Sequence, residues 1–301
     1  MNRQLVLIHG RSQENKNSIA LKQEWLGALH QGLAKSDLKL PIPETDVRFP
    51  YYGDTLFQLA EGKSADDAAQ VIVRGEAGDE GEKAFVRAVL EEVREVNGIT
   101  EAQLAAIAGN AVIEKGVLNW GWVQTILRAI DRDVPYGSGT AVALATRDVY
   151  QYLTNSNVGA IIDEGVSQAI TPGRESVVVS HSLGTIVAYK ILLERGLRDG
   201  WKVPLLVTLG SPLAVTAVRD LLRRKLPLRC PECATRWFNA RDAHDVVALY
   251  PLTPDNFPLN PPYPAITNKS DVENLTSNRH GISGYLSDKE VARRIYDALV
   301  A

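Results

Sequence analysis

The sequence contains only two cysteines, Cys230 and Cys233, among its 301 residues. They form a single Cys-Pro-Glu-Cys segment. A structural zinc site needs four ligands, usually cysteine or histidine, and there is no second cysteine pair. We therefore expect no metal site here, but two reduced thiols or a local disulfide. A redox switch, or a site completed by a histidine, is the alternative.

Long apolar segments and a strong excess of charge are also missing. No apolar stretch approaches the roughly 20 residues that a membrane span needs. The first apolar segment, residues 5–8, is too short for a signal peptide and leads into His9-Gly10-Arg11 rather than a cleavage site. A net charge of −3 gives no reason to expect nucleic acid or an anionic membrane as the main partner. We expect a soluble, cytoplasmic protein with no stable membrane insertion.

Hydrophobic residues make up 45% of the chain, and their arrangement alternates between strands and helices. This alternation predicts an α/β protein with a mostly parallel sheet and helices on both faces. A long helical stretch interrupts it, so we predict a core from residues 1–54 and 141–301 with a helical cap at 55–140. The predicted strands are 5–8, 45–49, 176–179, 203–209 and 235–240, and the predicted helices of the core are 17–35, 141–168, 214–225 and 287–300.

Residues 180–184, Ser-His-Ser-Leu-Gly, lie between a predicted strand and a helical run at 185–193. A strand, a tight turn of small residues and a helix together present a serine hydroxyl at the end of a sheet. The usual pattern is Gly-x-Ser-x-Gly, and Ser180 replaces the first glycine. We predict Ser182 as a nucleophile.

A serine hydroxyl needs a base that accepts its proton. The expected chain order is serine, acid, histidine, and His280 alone follows both the serine and an acidic loop. His9 and His181 flank motifs, His30 lies on the first helix, and His244 lies within the acidic loop. We predict His280 as the base, against the alternative of a histidine that is merely hydrogen-bonded.

The acid is expected soon after the second strand that follows the serine. Residues 237–248 offer Asp242 and Asp245. We favour Asp245, because the apolar run after it would hold it against the core. Asp242 would then form a turn or an ion pair.

An oxyanion hole needs two backbone N–H groups. We predict that Leu183 supplies one and that the loop of Gly10 and Arg11 supplies the other. An ordinary turn glycine is the alternative for Gly10.

The sequence says less about substrate binding. Tyr52 and Asp54 follow a core strand, where they could form a wall of the site or a plain turn. In the cap, Trp120 and Trp122 begin a segment with apolar residues at helical spacing. That segment could line an acyl pocket, although packing within the cap is the favoured interpretation.

Together these pieces resemble the α/β-hydrolase superfamily and, within it, lipase- and esterase-like serine hydrolases. The pieces are Leu7-Ile8-His9-Gly10, Ser180-His181-Ser182-Leu183-Gly184, Leu209-Gly210-Ser211-Pro212-Leu213, the loop from Asn239 to Val247, and His280 with Tyr285. The resemblance does not cover the cap.

The resemblance implies that Ser182 forms an acyl-enzyme with a small-molecule ester or lipid-like substrate. His280 would act as base and then as acid, and no metal or organic cofactor is implied. An amidase, thioesterase or acyltransferase with the same triad, or a non-catalytic ligand receptor, is the alternative, because the fold alone does not define the reaction.

Overall fold

The structure is a computed structural model that describes residues 3–10, 17–52, 79–109 and 120–301. Two predicted site residues, Arg11 and Asp54, therefore lie outside the described residues, as do parts of the predicted cap at 55–140.

The described residues form a parallel sheet of six strands in the order β2-β1-β3-β4-β5-β6. The inner strands are runs of Val, Leu and Ile that are buried along almost their whole length, as expected when helices cover both faces of a sheet. This confirms the predicted α/β class. The strands are β1 Gln4–Ile8, β2 Val47–Arg48, β3 Glu175–His181, β4 Lys202–Leu209, β5 Trp237–Ala240 and β6 Ile266–Lys269.

Ten α-helices accompany the sheet in the described ranges, together with one 3-10 turn at Glu44–Asp46. Among these helices, none combines the length and the apolarity that crossing a bilayer requires. The helices are α1 Ser18–Ala34, α2 Glu80–Val96, α3 Glu101–Ala108, α4 Trp120–Asp133, α5 Gly139–Thr154, α6 Ser156–Ser167, α7 Leu183–Arg195, α8 Thr216–Arg223, α9 Ile282–Leu286 and α10 Lys289–Val300.

Some predicted boundaries are wrong. The helix expected at 141–168 is two helices, because Asn155 has an extended backbone and its side chain accepts hydrogen bonds from the amides of Asn157 and Val158, which begins α6. Of the strand expected at 45–49, only the two residues of β2 are in a strand. The strand expected at 235–240 starts at Trp237. Strand β6 and the short helix α9 were not predicted.

The order of the strands brings two loops together at one end of the sheet. From β1 the chain moves to one side for β2, and β3 then pairs with the other side of β1, with Ile8 opposite Ser180. The carboxyl ends of β1 and β3 therefore lie side by side where the strand order reverses. Crevices at such reversals bind ligands in open α/β sheets.

Two hydrophobic clusters cover the two faces of the sheet. Leu5 and Leu7 face α1, α9 and α10, whereas Val6 and Ile8 belong to the cluster that contains the remaining helices. The described helices from the predicted cap, α2 to α4, belong to this second cluster. They are thus packed in the same core as one face of the sheet, while the division into core and cap stays a prediction.

One polar contact fixes α2 against α8. Both carboxylate oxygens of Glu92 lie 3.0 Å from the amide nitrogen of Thr216, the first residue of α8, and one accepts the Thr216 hydroxyl at 2.7 Å. The first amides of a helix have no partner within the helix, and a carboxylate there is favoured by the helix dipole. The contact therefore holds together two helices that both reach the candidate site.

Candidate active site

Ser182 lies between β3 and α7 with a left-handed backbone, at φ 53° and ψ −127°. This conformation is strained for a residue with a side chain. Hydrogen bonds hold it from both sides: its amide donates to the Leu209 carbonyl at 3.1 Å, and its carbonyl accepts from the amide and hydroxyl of Thr185 at 2.9 and 2.7 Å. The turn thus projects the Ser182 hydroxyl from the carboxyl end of the sheet.

Gly184 and Ser180, the small residues on either side of Ser182, are small for different structural reasons. A Cβ at Gly184 would lie 2.5 Å from the carbonyl oxygens of both Ile8 and His9, so any side chain there would collide with the β1 backbone. Ser180 is fully buried, and its hydroxyl donates to the Val207 carbonyl at 3.0 Å. A serine therefore fits where the usual pattern has glycine, because its one polar group is paired.

The structure brings Ser182, His280 and Asp245 together, and we call these three side chains the triad. Nε2 of His280 lies 2.9 Å from the Ser182 hydroxyl, and its Nδ1 lies 2.7 Å from Oδ2 of Asp245. Since an ionised carboxylate only accepts hydrogen bonds, Nδ1 carries the proton and Nε2 is open to the Ser182 hydroxyl.

The triad is identified from its geometry alone. No protein-family model, curated protein or solved structure matches the chain.

Asp245 is buried, yet every part of its carboxylate is hydrogen-bonded. Oδ2 accepts from His280 and from the Tyr285 hydroxyl, and Oδ1 accepts from the amides of Val247 and Ala248 at 2.9 and 3.3 Å. Burial acts to raise the pKa of Asp245, but His280 and these hydrogen bonds outweigh it and keep the pKa below its usual value. Asp245 is therefore an anion facing His280.

Asp242, the other predicted candidate, is also buried but contacts different groups. Its Oδ1 accepts from the amide of His244 at 2.7 Å, and its Oδ2 accepts from the amide of Asn274 at 2.8 Å. It therefore joins two loops of the site, and the structure brings Asp245 rather than Asp242 to His280.

The remaining described histidines have other surroundings. His181 donates from Nε2 to the His280 carbonyl at 2.7 Å, and burial, together with the neighbouring His280, lowers its pKa to about 3. Burial likewise lowers the pKa of His9 to about 4. His30 is exposed on α1, and His244 lies against Asp242. His181 and His9 are therefore neutral at ordinary pH and act through hydrogen bonds.

Gly10 approaches the triad closely, since a Cβ there would lie 2.7 Å from Cβ and 3.3 Å from Oγ of Ser182. His9 supports this loop, because its Nδ1 donates to the Gly10 carbonyl at 2.7 Å and its Nε2 accepts from the Tyr52 amide at 3.1 Å. The Tyr52 hydroxyl also donates to the His9 carbonyl. Leu183 is the first residue of α7, where an amide has no partner within the helix. These are suitable positions for donors to an oxyanion.

A narrow apolar pocket begins at Ser182. One face of α5 forms much of it, since Val142, Ala145, Thr146 and Val149 recur at helical spacing. Trp120 and Trp122 lie outside this lining. Trp122 is buried against α2, where its indole donates to Glu91, and Trp120 packs against the core. The other lining residues are Val89, Pro212, Val215, Val218, Val246 and Val247.

Sequence reasoning missed this pocket, and it assigned no role to Tyr285 or to the hydrogen bond of His181. The spacing within α5 is an available signal of a shared face, but it does not show that the face meets Ser182. Nothing in the local sequence shows that the hydroxyl of Tyr285 reaches Asp245.

Metal-binding geometry is not found in the part of the chain that the structure describes, where no three His, Cys, Asp or Glu side chains could hold an ion. Cys230 and Cys233 are free thiols. Burial raises their pKa to about 11 and about 12, so both are protonated at neutral pH and are poor nucleophiles.

Replacing Gly184 tests the contact between the β1 loop and the turn. Gly184→Ala places a methyl group against two backbone carbonyls that cannot move aside, so we expect the free energy of unfolding to fall by about 3 kcal/mol. Gly165→Ala is the matched control, because it lies in α6 with open space around it and should be neutral or stabilising by up to about 1 kcal/mol. Urea unfolding measures both. Equal effects would contradict the close approach.

Proposed function

We propose that this protein is a serine hydrolase that cleaves carboxylic esters through an acyl-enzyme. The observation that carries the proposal is the triad itself, with the Ser182 hydroxyl 2.9 Å from an imidazole whose other nitrogen faces a buried carboxylate at 2.7 Å. The strained turn at Ser182 supports it, because strain of this kind concentrates at functional sites. In this proposal the chain has the lipase- and esterase-like arrangement of the α/β-hydrolase fold.

In the first half of the reaction, the Ser182 oxygen attacks the ester carbonyl while its proton passes to Nε2 of His280. Asp245 stabilises the resulting imidazolium through Nδ1. The negative oxygen of the tetrahedral intermediate accepts hydrogen bonds from the Leu183 amide and the Gly10 loop. The intermediate collapses, the ester C–O bond breaks, and His280 returns its proton to the departing alcohol.

In the second half, His280 removes a proton from water as the water oxygen attacks the acyl carbonyl. The bond to Ser182 breaks, and the proton returns to the Ser182 oxygen. An acid and an alcohol leave, and the enzyme is unchanged. The cycle uses only residues of this chain and water.

The pocket favours an apolar acyl group. Its lining consists of aliphatic side chains, one proline and one threonine beside Ser182, and no ionisable side chain of the described residues lines it. The threonine hydroxyl is already used, since Thr146 donates to the Val142 carbonyl at 2.7 Å. A charged group in this pocket would lose its hydration without compensation. We therefore propose that the substrates are esters with a small or medium uncharged aliphatic acyl group. The cytoplasmic location expected from the sequence stays a prediction.

Labelling with a fluorophosphonate tests the nucleophile. We expect the wild type to be modified at Ser182, because the imidazole base activates that hydroxyl, and Ser182→Ala to lose all labelling. Ser283→Ala is a matched control on α9 and should label like the wild type. Mass spectrometry identifies the modified residue. A wild type that does not react, or an Ser182→Ala variant that reacts equally, would overturn the proposal.

Replacing each aspartate with asparagine tests the assignment of the acid. Asp245→Asn removes the anion that orients and stabilises the His280 imidazolium, so kcat should fall by about 10⁴-fold. Asp242→Asn keeps an oxygen for one of its two loop contacts and should lower kcat far less. Initial rates on a p-nitrophenyl ester measure both. A larger loss for Asp242→Asn would reverse the assignment.

The depth of the pocket is tested by filling it. Ala145→Leu adds three carbons on the face of α5 that lines the pocket, so kcat/KM for a longer p-nitrophenyl ester should fall by at least about tenfold, while the acetate ester changes little. Ala106→Leu, at an exposed position on α3, is the matched control. Thioesters and amides of the same acyl group, measured in parallel, identify the reaction class. Uniform loss across chain lengths would show that the acyl group binds elsewhere.

A further inference from the structure

The side chain of Tyr285 is fully buried beside the carboxylate of the triad. Its hydroxyl lies 2.6 Å from Oδ2 of Asp245 and 3.2 Å from the amide nitrogen of Asp242. An ionised carboxylate only accepts hydrogen bonds and a backbone amide only donates them. The hydroxyl must therefore accept from Asp242 and donate to Asp245, and its direction is determined.

The hydroxyl keeps its proton over the range of pH in which an esterase would be assayed. Burial raises the pKa of Tyr285 well above its usual value, and the negative charge of Asp245 raises it further. Tyr285 is thus a constant donor and does not exchange protons with the triad.

A single carboxylate oxygen accepts two side-chain hydrogen bonds. Oδ2 of Asp245 accepts from Tyr285 at 2.6 Å and from Nδ1 of His280 at 2.7 Å, while Oδ1 is held by two backbone amides. The Tyr285 hydroxyl therefore competes with the imidazole for the charge on the same atom. A hydrogen bond to a charged group is roughly twice as strong as one between neutral groups, so this competition is substantial.

The backbone of a neighbouring loop makes room for this arrangement. Gly210 has φ 54°, and a Cβ there would lie 3.0 Å from the Tyr285 ring, 3.2 Å from Oδ2 of Asp245 and 3.2 Å from Cε1 of His280. A side chain at this position would press on all three groups at once. The close approach of Tyr285, Asp245 and His280 thus depends on a glycine after β4.

We propose that Tyr285 is a positioning residue, which aims Oδ2 of Asp245 at His280 and limits the negative charge that the imidazole experiences. This inference rests on the proposed serine-hydrolase function. Without the hydroxyl, the amides of Val247 and Ala248 would still hold Oδ1 of Asp245, but Oδ2 would lose one of its two donors, would be less firmly aimed and would carry more charge. The His280 imidazolium would then be held too strongly and would give its proton to the departing alcohol less readily.

Other groups also act on the electrostatics of Asp245 and His280, and none of them changes in Tyr285→Phe. The ring of His181 lies 4.7 Å from that of His280 and is neutral. A guanidinium nitrogen of Arg279 lies 4.0 Å from Asp242. Within the part of the chain that the structure describes, the ionisable side chains that interact with Asp245, His280 or Asp242 include His181, Arg241, His244, Arg279 and Tyr285.

The test is Tyr285→Phe, with Tyr189→Phe as its matched control. Tyr189 is also fully buried, and its hydroxyl also has two hydrogen bonds, both to the backbone of Arg229, away from the triad. For Tyr285→Phe we expect kcat to fall about tenfold or more, with KM within about twofold. The acid limb of the kcat/KM profile should move to higher pH, because a more negative Asp245 stabilises the imidazolium. Tyr189→Phe should lower stability only.

A second variant keeps the hydroxyl and the fold. Fluorine makes a phenol a stronger hydrogen-bond donor, so Tyr285→3-fluorotyrosine should move the acid limb to lower pH, opposite to the shift of Tyr285→Phe. The inference would be overturned if the pH profiles of both variants coincided with that of Tyr189→Phe. It would also be overturned if their acid limbs moved in the opposite directions. In either case the wild type would remain an active hydrolase. A wild type that neither reacts with a fluorophosphonate nor hydrolyses esters would overturn the proposed function, and this inference with it.

Discussion

The parallel pairing of β1 with β3 is the constraint on which the candidate site depends. Because Ile8 lies opposite Ser180, both strands end at the same level, and the His9–Gly10 loop meets the turn at Ser182. Gly184 leaves space for the β1 carbonyls, and Gly10 leaves space for Ser182. The left-handed backbone at Ser182 costs on the order of 1–3 kcal/mol. Hydrogen bonds to Leu209 and Thr185 offset that cost, so the strained turn is held by the strands around it.

Burial explains why three histidines of one region differ chemically. His9 and His181 are enclosed beside backbone carbonyls, and removal from water favours their neutral forms. Of these three, only His280 faces a carboxylate at hydrogen-bond distance, and that carboxylate remains charged because four donors surround it. The cost of burying one charge is thus met by two backbone amides, a phenol and the imidazole itself. In the proposed reaction, a proton would therefore move between Ser182 and His280 while the neighbouring imidazoles stay neutral.

The parts that could be predicted from sequence are those determined by adjacent residues. Strands β1, β3 and β4 are continuous runs of branched apolar residues, and the turn at Ser182 has small residues at fixed offsets. Strand β6 escaped prediction because Ile-Thr-Asn-Lys is a short and only partly buried edge strand. The break at Asn155 was missed because its capping hydrogen bonds compete with helical periodicity on both sides.

The candidate site was predictable only where chain order carries information. The order of serine, acid and histidine predicts that an acid of residues 237–248 meets His280, and the apolar run after Asp245 favours it over Asp242. Asp245 does reach His280. The hydrogen bond from Tyr285 to Asp245 depends instead on how α9 packs against the acidic loop, which no spacing along the chain encodes. Likewise, helical spacing identifies apolar faces on α4 and α5 alike. Packing alone decides that the α5 face meets Ser182 while Trp122 lies against α2.

In the proposed function, the residues that would select the acyl group also stabilise the fold. The pocket residues Val89 and Val218 lie on α2 and α8, the two helices that Glu92 joins through Thr216. Val89 and Val218 also belong to the hydrophobic cluster on one face of the sheet. A change in pocket volume therefore changes the packing of that cluster as well. Among the lining residues, Ala145 is the one that is not fully buried, so we expect a larger residue to be accommodated best there. For this reason we expect specificity to be adjusted at Ala145 more readily than at the buried valines of the lining.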